Sequence, residues 1–129
     1  MAHVLIVGIG GFIGSIARYL LSGVAQRCVT GSFPLGTLIV NVLGCLAIGF
    51  VWYLVDFRAW SNPQVRVFVT AGMLGGFTTF SAFGLETFAL MRVGQNVLAA
   101  ANVAGNVALG LAAVAIGWSA AKATFEWFS

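Results

Sequence analysis

Few side chains in this sequence can do chemistry, and they are scattered along apolar stretches. The only histidine, His3, sits at the terminus, and the carboxylates Asp56, Glu86 and Glu126 fall in separate segments. Neither a Ser/His/Asp arrangement nor a carboxylate pair within one segment can be assembled, so hydrolysis is unsupported. Cys28 and Cys45 lie apart, with no spacing that suggests a metal site or an obligatory disulfide, and are expected to be packing residues. What remains is a set of neutral hydrogen-bonding residues at helical spacing: Thr37, Asn41, Gly44 and Cys45 on one face, and Asn102 and Asn106 on another. A third group is continuous, Gly75-Gly76-Phe77-Thr78-Thr79, followed by Phe80, Ser81 and Phe83.

In hydrocarbon, an amide is costly unless paired or hydrated, so the two faces should point at protein or at a water path. Asn41 taken alone fits interhelical glue as well as a pathway. In the glycine and threonine stretch, two glycines weaken a helix and threonine hydroxyls can satisfy the backbone groups set free by a break. Freed carbonyls there could hold a cation. Phe80 and Phe83 share one face, and Thr79, Phe83 and Glu86 line an adjoining stripe; by themselves such phenylalanines read as lipid or core contacts.

The elements that must position these residues follow from composition. Of 129 residues, 60% are hydrophobic and only 7% charged, too few charges for the surface of a water-soluble domain of this size. The expected fold is an all-α membrane protein with four transmembrane helices at about 4–24, 35–55, 64–91 and 96–123, forming a single domain at 1–129, the third helix interrupted near its centre. The N-terminal run lacks the basic start of a secretory signal and is expected to be retained as the first span. Gly8, Gly10, Gly11, Gly14 and Ser15 give that span a small-residue face for close packing. They do not form a dinucleotide-binding turn, which would need glycine at Ile13 and an acid about 20 residues on. Pro34 suits the start of the second span, Ser61 or Asn62 can cap the third, and a tight turn at 92–95 leads into the fourth. Trp52, Tyr53, Trp60, Trp118 and Trp127 fall near span ends, and Asp56, Arg58 and Trp60 mark an interface.

The net charge of +3 comes from six basic residues spread singly, which is no nucleic-acid patch. With four spans, Arg58, Arg66 and Lys122 fall on one side of the membrane and Arg18, Arg27 and Arg92 on or near the other, so charge sets almost no orientation. Such a chain either inserts both ways or has a weak bias corrected on insertion. Four short spans enclose little volume, so a homodimer is expected, with an antiparallel pair as the sharper form.

The segment 75–83, together with Gly36-Thr37-Leu38, Asn41, Gly44 and Arg18-Tyr19, resembles the Fluc (CrcB) family of fluoride channels, and the likeness runs the length of the chain. The resemblance implies an antiparallel, dual-topology homodimer in the cytoplasmic (inner) membrane that exports fluoride passively and protects the cell from it. It implies that Phe80 and Phe83 line the fluoride pathway with Thr79 and Ser81, that Asn41 donates to the ion, and that Asn102 lies where relatives carry a pore-lining residue. It also implies a structural sodium ion held by backbone carbonyls of Gly75 and Thr78 at the dimer interface. Ala82 departs from the family, where a threonine is usual. Arg18 and Glu86 fall on the same side of the membrane and are expected to form a structural or vestibule ion pair.

Two other classes stay open on the residues alone. A small proton-coupled multidrug exporter shares the size, but needs an embedded carboxylate that the first span lacks, leaving Glu86 as the one candidate. A non-transporting assembly subunit would use the asparagines only as glue.

Overall fold

The computed structural model describes residues 1–57 and 62–127. Arg58, Trp60 and Ser61, assigned above to an interface and a cap, lie outside them. Every element of the described chain is a helix, and four helical stretches are long and apolar enough to cross a membrane.

Helix α1 covers Ala2–Gln26 and α2 covers Leu35–Phe57. Gln26 builds the link between them: its Nε2 donates to the Phe33 carbonyl at 3.0 Å, and its Oε1 accepts from the Gly36 amide at 3.1 Å. The second bond satisfies one of the free amides in the first turn of α2, which begins directly after Pro34.

The third span, Pro63–Arg92, is composite. It opens with α3, Pro63–Val67, capped by Asn62, whose Oδ1 accepts from the amides of Gln64 and Val65 at 3.0 and 3.3 Å. The coil then widens to a π-helix over Phe68–Leu74 and tightens again in α4, Gly75–Phe77. Thr78 and Thr79 are extended, with ψ of 158° and 118°, before α5 resumes at Phe80–Arg92. A Schellman closure ends α5: Gln95 N donates to Leu90 O at 2.9 Å and Gly94 N to Met91 O at 3.0 Å, with Gly94 at φ 78°. Helix α6 follows at once, Asn96–Trp127. It runs four residues beyond the expected end, because charge at 122–126 exits the apolar layer without any glycine or proline to stop the coil.

Two pairings hold the bundle together: α1 against the first half of the third span, and α2 against α6. Both use glycine to bring backbones into contact. A β-carbon on Gly10 would meet Phe68 O at 2.7 Å, and one on Gly76 would meet Gly11 O at 2.6 Å. Across the other pairing, Gly49 abuts Val114 and Gly117 abuts Leu46, each with room for hydrogen only. Of the small-residue face expected on α1, Gly8 stands apart, with no neighbour within 4 Å. The aromatic residues near the span ends also divide. Trp52 and Trp127 face outward, whereas Tyr53 is 5% exposed and packs edge-on to Trp118 at 5.7 Å between ring centroids.

Candidate functional site

Where the third span leaves the helix, four amide–carbonyl bonds of an unbroken coil are forgone, and three of the freed groups find side-chain partners. The Thr79 amide, which would have bonded the Gly75 carbonyl, donates instead to Asn41 Oδ1 at 2.9 Å. Asn41 Nδ2 returns a bond to the Thr79 carbonyl at 3.1 Å, so one side chain clamps this peptide from both sides. The Gly76 carbonyl, deprived of the Phe80 amide, lies 3.5 Å from the Ser15 hydroxyl of α1. Thr79 Oγ1 caps α5 by accepting from the Ala82 amide at 3.2 Å and lies 3.4 Å from Ser81 Oγ. The Gly75 carbonyl is left without its helical donor.

The clamp exists because α2 presents Thr37, Asn41, Gly44 and Cys45 to the protein. Gly44 admits the Thr78 methyl, which would stand 2.2 Å from any β-carbon there, and Cys45 Sγ lies over Gly110 of α6. Asn41 continues the polar line into α6: its Nδ2 also donates to Asn106 Oδ1 at 2.9 Å. Asn106 Nδ2 donates to Asn102 O and Oδ1, both at 3.0 Å, and Asn102 Nδ2 donates to Thr87 Oγ1 at 2.9 Å. Thr87 closes the line on the Phe83 carbonyl at 2.7 Å. Four polar side chains, Asn41, Asn106, Asn102 and Thr87, are thereby linked across three spans.

The Asn41 and Asn106 end of this line borders an open groove of about 420 Å³, lined also by Gly75, Thr78, Phe80 and Phe83. The rings of Phe80 and Phe83 tilt against each other at 5.4 Å. Phe80 is 83% exposed, a large apolar side chain that the described residues leave mostly open. Asn102 lies elsewhere: at 0% exposure it is sealed in the interior, joined to the groove through Asn106 and, by way of Thr87, through the Phe83 carbonyl. Ser81 is exposed and Thr79 buried.

On the other side of the clamped peptide, a cavity of about 290 Å³ is bordered by Ser15, Arg18, Tyr19, Thr37, Thr79 and Glu86. Glu86 Oε1 accepts from Thr37 Oγ1 at 2.7 Å, while its Oε2 is buried with no hydrogen-bond partner. Arg18 borders the same cavity, yet no ion pair joins it to Glu86 within the chain. Thr37 of α2 supplies the contact expected of the arginine.

The residues assigned to the site thus fall into two groups: Asn41, Gly75, Thr78, Phe80 and Phe83 around the groove, with Thr79 and Ser81 at its edge, and Arg18 with Glu86 around the second cavity. The sequence reading put Asn106 with Asn102 on a face pointing at protein or a water path, but assigned only Asn102 to the fluoride pathway. Thr87 gave no signal beyond its place on α5.

The family model described as CrcB-like protein, Camphor Resistance (CrcB), matches residues 5–118. A protein of Nitratidesulfovibrio vulgaris named "Fluoride-specific ion channel FluC" is 48% identical over 117 residues, covering 91% of this chain and 94% of the relative. One of the same name from Methylobacillus flagellatus is 42% identical over 127 residues, covering 98% and 99%, and one from Clostridium novyi is 40% identical over 121 residues, covering 94% of each. With four helices fit to span a bilayer and a match over almost its whole length, this multi-pass membrane protein belongs to the CrcB family.

Proposed function

We propose that the chain is a subunit of a fluoride-selective channel in the cytoplasmic membrane, letting fluoride leave the cell down its electrochemical gradient without a catalytic cycle. The ion's identity rests on one observation, the nearly full-length likeness to proteins named fluoride-specific ion channels.

The groove supports that reading chemically. Fluoride is small and strongly hydrated, so its path must replace water with several neutral donors that do not hold the ion too tightly. Asn41 offers an amide, Thr79 and Ser81 offer hydroxyls, and Phe80 and Phe83 offer the positive edges of their rings without a permanent charge. Asn102, sealed behind Asn106, acts on this path by holding Asn106 in place. Arg18 and Glu86 form the vestibule, Arg18 raising the local anion concentration.

The working unit is an antiparallel homodimer. An uncovered Phe80, exposed Leu85 and Phe88 on the same helix, and basic residues balanced between the two sides all support a second copy against this face. The third span is read as broken at membrane depth, where irregular backbone needs protein or a cavity beside it. The carbonyls of Gly75 and Thr78 at the groove fit a sodium ion: the first has lost its helical donor, and the extended Thr78 has turned off the helix axis. A bound cation there supplies positive charge that carbonyl oxygens of two subunits can share.

Purified protein in liposomes tests the function. Fluoride efflux read with a selective electrode is expected, falling sharply in Phe80→Ile while the protein stays folded. Silent liposomes containing folded protein refute it.

A further inference from the structure

The two amides that border the groove, Asn41 and Asn106, are oriented by backbone groups that leave no choice. Thr79 donates through its amide and accepts through its carbonyl, which fixes Asn41 Oδ1 on one and Nδ2 on the other. Asn106 is fixed in the same way, since the Asn102 carbonyl only accepts and therefore takes the nitrogen side of the Asn106 amide. The oxygen side of Asn106 must then face Asn41, and it does, at 2.9 Å.

One consequence bears on ion passage. Asn41 Nδ2 has two hydrogens, and both are engaged: one by Thr79 O, the other by Asn106 Oδ1. An anion reaching the groove meets no free donor on Asn41. The two bonds are unequal in what holds them. The Thr79 bond is half of a two-point clamp that also secures the Thr79 amide, whereas the Asn106 bond is single and ends on a half-buried side chain that borders the open groove.

We propose that Asn106 is a positioning residue whose side-chain oxygen stands in for the anion. It holds the second Asn41 hydrogen aimed into the groove and gives it up when fluoride arrives. This rests on the fluoride-channel reading. The exchange costs the ion the acceptor it displaces, so the site binds about five-fold more weakly than a bare amide would, the worth of one ordinary hydrogen bond. A site weakened in this way releases its ion rather than trapping it.

The test measures initial fluoride efflux from liposomes against fluoride concentration. In Asn106→Ala the half-saturating concentration is expected to fall about five-fold. In Asn106→Asp, which keeps an oxygen toward Asn41 and adds charge, it is expected to rise above that of the unaltered protein. Slower efflux with an unchanged half-saturating concentration in both variants overturns the inference and leaves Asn106 as helix glue. Should neither variant fold, the side-chain 15N amide resonance of Asn41 in the unaltered protein decides. A shift on fluoride addition but not on chloride addition supports the exchange; no shift in protein whose liposomes conduct fluoride overturns it. Absence of efflux from the unaltered protein refutes the channel itself, a separate failure.

Discussion

Gly14 of α1 and Met73 of the third span meet backbone to backbone: a β-carbon on Gly14 would stand 2.1 Å from the Met73 carbonyl oxygen. No side chain can yield to relieve such a contact. Gly14→Ala is therefore expected to part the two spans and lower stability by about 3 kcal/mol, at the upper end of overpacking costs. Gly8→Ala, with no neighbour within 4 Å, should stay within about 0.5 kcal/mol of the unaltered protein. Thermal unfolding in detergent distinguishes them, and equal losses would refute the packing account.

Asn41→Asp keeps the oxygen that receives the Thr79 amide but removes both hydrogens, freeing the Thr79 carbonyl and Asn106 Oδ1. Expected are a stability loss of about 2 kcal/mol and, from an added carboxylate beside the groove, efflux lowered more than about ten-fold. Retained efflux would remove Asn41 from the path.

Thr37 supplies the one hydrogen bond Glu86 receives, so Thr37→Val, nearly equal in shape, should cost about 1–3 kcal/mol by leaving the carboxyl group unpartnered. Glu86→Gln retains an oxygen for Thr37 and should cost less than half of that. A neutral Thr37→Val, measured by thermal unfolding, would strip this contact of energetic weight.

Cys28 is exposed in the link between α1 and α2, and Cys45 is half-buried inside α2. If the chain inserts both ways, an impermeant maleimide applied to intact cells should label roughly half of Cys28 and reach the rest only after permeabilisation. Labelling that is complete or nil before permeabilisation would refute dual topology.

The span pattern was open to the sequence because it depends on composition and length alone, and the helix limits differ from the expected ones by four residues or fewer. Residues that share a helical face were equally legible: Thr37, Asn41, Gly44 and Cys45 do point together. Which faces meet was not, since that depends on how helices rotate against one another. Hence Glu86 was assigned to Arg18 and is bonded to Thr37, and Asn102 was assigned to the pathway while Asn106 occupies the groove wall. The π-helical coil at Phe68–Leu74 left no mark in the sequence, because it alters hydrogen-bond register without calling for particular residue types.

The two ends of the bundle are secured differently. At one, the connection after α1 is stitched to the turn before α6 by Ser32 and Gln95, with Gln26 bracing the start of α2. At the other, α2 and α6 are held by ring contacts, Phe50 tilted against Phe125 and Tyr53 edge-on to Trp118. A lone subunit therefore has one end cross-linked by hydrogen bonds and one held by ring contacts. Paired head to tail, two subunits would show one of each to either side of the membrane. Current through the pair would be the same in both directions at equal driving force: a conduit without rectification, whose direction of flow is set wholly by the ion gradient and the voltage.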